Sequence, residues 1–91
     1  MISADDAFIL ATNCYTERIK KEWKELEKLI QVEAEKGKFE CNYYGYLKPI
    51  NVKKLKELGY KVEIEGHFGE SNAHISWGSE EEAEERIKLW V

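Results

Sequence analysis

The sequence predicts one α+β domain of 91 residues, in which a long first helix lies over a small three-stranded sheet in the order α-β-α-β-β-α. Three observations lead there. From Ser3 to Lys36 the chain has neither proline nor glycine, and its apolar residues recur at steps of three and four, the spacing of one helix face. After Gly37 the period falls to two in three separate segments bounded by glycines or polar turns, as half-buried strands require. Two shorter segments return to helical spacing, one between the first two strands and one after the third.

The first helix opens at Ser3-Ala-Asp-Asp6, where Ser3 can accept from first-turn N–H groups and the two aspartates favour the positive end of the helix dipole. Phe8, Thr12, Tyr15, Ile19, Trp23, Leu26, Ile30 and Ala34 form one apolar stripe. Ala4, Ala7, Ala11 and Cys14 make a second stripe of small residues, which suits either a partner helix or the chain's own sheet. Asn13 interrupts the apolar half, and a single polar residue of this kind can pair across a helical seam. Gly37 supplies a left-handed cap. Such a helix spans about 50 Å, whereas a compact domain of this size has a radius of gyration of about 12 Å. It should overhang its own domain. The stripe Phe8, Tyr15, Ile19, Trp23, Leu26 and Ile30 extends farther than strands of about 17–20 Å can cover, so self-association is expected, as a dimer or a multiple of dimers with Trp23 near the centre of the contact.

Phe39, Cys41 and Tyr43 alternate with Glu40 and Asn42 as a first strand closed by Gly45. Asn51 is placed as the N-cap of a short helix that buries Val52, Leu55 and Leu58 and stops at Gly59. Tyr60, Val62 and Ile64 mark a second strand, residues 66–72 a hairpin loop, and Ala73, Ile75 and Trp77 a third strand. Ser79 to Glu82 repeats the capping signature before a last helix with Ala83, Ile87 and Trp90 on one face. The first two strands, joined through the short helix, are expected to form a right-handed parallel crossover, and the last two an antiparallel hairpin. The crossover, residues 45–59, is tight, so an irregular link or an antiparallel arrangement stays open.

With 43% hydrophobic residues and one proline, the chain lies away from the disordered and collagen-like classes. No apolar run approaches the roughly 20 residues of a bilayer span. The start, Met-Ile-Ser-Ala-Asp-Asp, lacks the basic flank and apolar core of a signal peptide, and a cytosolic (cytoplasmic) location is expected. Cys14 and Cys41 are read as small buried hydrophobes of a reducing compartment, with a disulfide as the alternative. A net charge of −4 opposes binding to nucleic-acid phosphates, which takes a basic face. Arg18, Lys20, Lys21, Lys24 and Lys28 form one basic cluster, and Lys48, Lys53, Lys54 and Lys56 another. Glutamates interleave the first, with Glu17 four residues before Lys21, which is the pattern of a solvated helix face.

The long helix ending in Glu-Lys-Gly37, the junction Val52-Lys-Lys-Leu55-Lys-Glu-Leu58-Gly59-Tyr60-Lys-Val62 and the closing His74-Ile75-Ser76-Trp77 resemble a group of small bacteriophage and prophage accessory proteins. The likeness covers about residues 5–77, and the last helix is an addition to it. It implies an oligomeric binding protein. Small phage proteins of this kind include anti-defence proteins that sequester nucleotide signals between subunits, inhibitors of host proteins, and capsid or tail accessories.

No Gly-x-Ser-x-Gly, P-loop, Gly-x-Gly-x-x-Gly or His-Glu-x-x-His occurs, so no enzyme and no cofactor is expected. His67, His74 and Glu70 match the ligand count of an open zinc site, but solvated loop histidines are the simpler reading and no metal is assigned. Asn42-Tyr43-Tyr44-Gly45-Tyr46-Leu47-Lys48 is the best binding candidate. Successive strand side chains face opposite sides, so at least one tyrosine should be exposed. A tyrosine can stack on a base or anchor a protein, Lys48 can meet a phosphate and Asn42 a base edge. Packing of the tyrosines against the long helix or a second subunit is the alternative. The expected function is sequestration of a nucleotide-like ligand at subunit interfaces by Asn42, Tyr43, Tyr44, Tyr46 and Lys48 together with Arg18 or Lys21 of a neighbouring chain. A protein-protein inhibitor or structural component is the alternative, and a hydrolase using His67 or His74 a third.

Overall fold

The computed structural model describes residues 1–67 and 70–88, with the side chains of His67 and Glu70 outside the described set. Its elements are α1 (Ala4–Glu35), β1 (Glu40–Tyr44), α2 (Pro49–Glu57), β2 (Lys61–His67), β3 (Glu70–Ser76) and α3 (Glu80–Lys88), the α+β order that the periodicity predicts. Ser3 caps α1 by accepting from the Asp6 N–H at 3.1 Å. At the other end Gly37 takes a φ of +82°, and the N–H groups of Gly37 and Lys38 return to the carbonyls of Ala34 and Glu33. A side chain at Gly37 would have to adopt a left-handed backbone that only glycine enters freely.

The expected pairing of the strands needs correction. The sheet order is β1-β3-β2, with both outer strands antiparallel to β3. β1 and β2 therefore run in the same direction but do not pair, because β3 returns between them. This insertion relieves the tight crossover: residues 45–60 now bridge two strand spacings of about 4.8 Å each, which leaves room for α2 beneath the sheet. The hairpin is also longer than expected. β2 reaches His67 and β3 starts at Glu70, so the strands occupy most of the segment read as loop.

Leu26, Cys41, Leu47, Leu55, Ala73 and Ile75 form the core, and Trp23, Leu29, Ile30, Tyr43, Val62 and Trp77 pack around it. Trp77 meets Tyr60 edge to face at 6.2 Å and donates its ring N–H to the Lys38 carbonyl. Two expectations for α2 fail. Leu58, placed on the buried face, is exposed. Asn51 is no cap: Lys48 is the cap residue, Pro49 fills the first turn where a missing N–H does no harm, and Asn51 is buried one turn in.

The overhang of α1 is present. Every residue from Ala4 to Arg18 is exposed, while Glu22 and Leu26 are buried against the rest of the chain. The result is a body of 69 × 31 × 19 Å with a radius of gyration of 17.6 Å, well above the roughly 12 Å of a compact chain of this length. Among the described residues, α3 makes no contact with another helix or strand. Among the described residues no helix is long and apolar enough to cross a membrane.

Candidate functional site

The chain direction places the tyrosine segment. α1 ends beside the start of β1, and β1 runs back along it, so the end of the strand arrives near Glu22. Tyr43 points to the helix side and packs against the core. Burial, followed by the carboxylates of Glu22 and Glu25, pushes its hydroxyl pKa up. Tyr44 and Asn42 turn to the other face and are exposed. After Gly45, at φ +124°, Tyr46 projects into solvent as well.

Lys48 is not a free cation. Its ammonium lies 3.0 Å from Glu22 Oε2, and its backbone N–H donates to Glu22 Oε1 at 2.9 Å. The Asn51 amide completes the group, donating to Glu22 Oε1 at 2.9 Å and to the Ile19 carbonyl at 3.2 Å. Burial by itself would raise the Glu22 pKa, but the bonds from Asn51 and from the backbone and side chain of Lys48 hold it below its ordinary value. A carboxylate with three donors is satisfied, and so this knot fastens α2 to α1. The lysine assigned to a phosphate is paired with this carboxylate in the single chain.

Within one chain, the residues of the tyrosine segment do not line a single cavity. Asn42 and Tyr44 border a cleft of about 730 Å³ between Leu29 and Glu33 of α1 and the start of α3 at Gly78–Glu80. Tyr46 borders a separate, largely apolar groove of about 610 Å³ with Val52, Ile64, Lys53 and Lys56. Arg18 and Lys21 are exposed on α1 and line neither. His74 on the outer face of the sheet lies 3.2 Å from Glu40. His67 and Glu70, named above as metal-ligand candidates, and Trp90, placed above on one face of the last helix, have side chains outside the described residues.

The apolar stripe of α1 divides in two. Phe8 and Tyr15 are exposed and Ile19 is half-buried. Trp23 and Ile30 pack against the chain's own core, with the Lys54 ammonium 4.3 Å above the Trp23 ring, and Leu26 is fully buried. Leu26 is therefore closed to a partner, and Trp23 has much of its surface engaged at home. The signals that could have located Glu22 were slight: a glutamate within the apolar stripe, and a proline just after Lys48 that moves the helix start ahead of Asn51.

Comparison with family models, curated proteins and solved structures finds no match to this chain.

Proposed function

We propose that the chain is a self-associating, non-catalytic binding protein of the phage-accessory kind, which acts through protein contact. One observation carries the reading. Residues 7–16, Ala-Phe-Ile-Leu-Ala-Thr-Asn-Cys-Tyr-Thr, hold no charge, and on the free half of α1 the side chains of Phe8, Ile9 and Leu10 are 72%, 56% and 57% exposed. Successive helix residues lie about 100° apart, so these three present apolar surface on more than one side. A helix apolar around its girth is ordinarily a buried one. A second copy is the occupant this reading takes.

Light scattering at micromolar concentration tests it. The native protein should give a mass of at least two chains of 10.7 kDa, and Phe8→Glu with Leu10→Glu should lower the mass per particle while leaving the fold intact, since neither residue touches the core. A native mass of one chain would overturn the proposal.

A second reading, sequestration of an anionic aromatic ligand such as a nucleotide, is favoured by the groove where the Tyr46 ring neighbours Lys53 and Lys56. Those two lysines take the place assigned above to Lys48. A ligand that binds the native state raises thermal stability by RT ln(1 + [L]/Kd). A panel of cyclic di- and trinucleotides and ADP-ribose derivatives should then raise the melting temperature of the wild type and not of Lys53→Ala/Lys56→Ala. The absence of any shift across the panel removes this reading.

A further inference from the structure

We propose that the free edge of β1 pairs antiparallel with β1 of a second copy, joining two chains into one six-stranded sheet; this rests on the self-association reading and adds to it a second contact, separate from the arm around Phe8. The hydrogen bonds at the two ends of β1 define that edge. Trp77 N–H donates to the Phe39 carbonyl and Gly45 N–H to the Ser71 carbonyl, each at 2.9 Å. Backbone groups of an antiparallel strand alternate between its two neighbours, so Cys41 and Tyr43 face β3, whereas Glu40, Asn42 and Tyr44 turn their N–H and C=O groups outward. No strand among the described residues lies on that side. Instead the edge opens into the cleft between α1 and the start of α3.

β1 is short and carries one charge, Glu40, but no lysine, proline or bulge, three of the devices that keep strands from pairing with foreign chains. The opposite edge strand, β2, carries Lys61, Glu63 and Glu65.

A second copy of the chain fits this edge for two reasons. A two-fold axis at Asn42 sets Asn42 against its own symmetry mate and Glu40 against the partner's Tyr44, so no like charges meet across the seam. The same axis also settles what lies beside α3. β3 ends level with Glu40, and α3 starts there. In the pair, the α3 start of one copy falls at the Tyr44 end of the other, where α1 passes through Glu22 towards Arg18. α3 holds five glutamates between Glu80 and Glu85, ahead of Arg86 and Lys88; the facing stretch of α1 holds Arg18, Lys20, Lys21 and Lys24 against Glu17, Glu22 and Glu25, of which Glu22 is paired with Lys48. Among the described residues, an acidic helix that makes no contact with another helix or strand of its own chain thus meets a stretch with a net positive charge. The arm tips around Phe8 project from the two ends of the dimer, where they can join dimers to one another.

Cysteine cross-linking tests the register. In a Cys14→Ser background, Asn42→Cys should form a disulfide-linked dimer on mild oxidation, because directly opposed residues of a hydrogen-bonded pair have Cα atoms about 5.5 Å apart, within disulfide range. Glu40→Cys should cross-link at least ten-fold less with itself, yet readily with Tyr44→Cys in a mixture of the two. All three positions are exposed, and circular dichroism verifies the fold of each variant. A native protein of two or more chains in which Asn42→Cys stays uncross-linked overturns the edge pairing and leaves self-association standing. Equal cross-linking at positions 40 and 42 overturns it too, as unregistered collision. A native mass of one chain removes both readings together.

Discussion

Glu22 on the first helix holds Lys48 twice, once by its ammonium at 3.0 Å and once by its backbone N–H at 2.9 Å. Replacing Glu22 by Ala strands both donors and the Asn51 amide in a part-buried site. Charge-assisted hydrogen bonds of this kind contribute about 1.5–3 kcal/mol each, and unpaired buried partners add a penalty. The variant should lose about 3 kcal/mol of stability, measured as a lower denaturant midpoint at unchanged slope.

Acid should loosen the same joint. The folded chain holds the Glu22 pKa below its ordinary 4.5, so in that window it binds fewer protons than the unfolded chain, and stability rises with pH. The contribution is complete above about pH 5 and is lost as pH falls through the lower, folded value. Glu22→Gln should therefore show a flatter dependence of unfolding free energy on pH between 3 and 5 than the wild type does; a parallel curve would mean that other carboxylates carry the acid sensitivity.

Asn51→Asp should reverse that slope. Asn51 is buried, and its amide faces Glu22 at 2.9 Å; an aspartate there sets carboxylate against carboxylate, and close like charges push one pKa up. The variant should be markedly destabilised at pH 7 and recover part of its stability near pH 5, which thermal melts at the two values would detect.

The two cysteines should separate chemically. Burial, with a smaller contribution from Glu33, pushes the Cys41 thiol up to about 11, and its side chain lies in the core, whereas Cys14 is exposed on the free half of α1. Since the thiolate is the reactive form, brief alkylation at pH 8 should label Cys14 in the folded Phe8→Glu/Leu10→Glu variant, whose arm no second copy covers, and Cys41 only after denaturation. Mass mapping of the labelled peptides reads this directly. Equal labelling would place Cys41 outside the core.

Ile75→Ala should be among the most damaging single changes. Ile75 is fully buried in the central strand, and truncations of this kind cost about 2–5 kcal/mol according to how far the cavity collapses. Ile64→Ala, on the exposed rim of the sheet, should cost under about 1 kcal/mol.

Much of this architecture was written in local signals. Ser3, Gly37 and the stripe through Leu26 delimit α1, and the alternation around Cys41, Val62 and Ile75 marks the strands, because both kinds of pattern act over a few neighbouring residues. Strand order was not legible, since period-two alternation says which face is buried but not which strand lies in the middle. The Glu22–Lys48–Asn51 knot was equally hidden. Its partners lie 26 and 29 residues apart, and a lysine beside three tyrosines reads as a ligand group until the glutamate opposite it is known. The split of the tyrosine segment was legible, because successive strand side chains alternate: Tyr43 packs on the core and Tyr44 is exposed on the other face of the sheet.

The projecting half of α1 also makes folding depend on concentration. A helix of about 15 residues is marginal in water without packing, so in an isolated chain this segment stands on its own backbone bonds and the Ser3 cap. Dilution should lower the helical ellipticity of the protein before it melts the sheet, and amide exchange over residues 4–18 should slow as the chain is concentrated. The number of ordered turns then becomes a gauge of how many copies are present, with the core around Leu26 and Ile75 as the constant part.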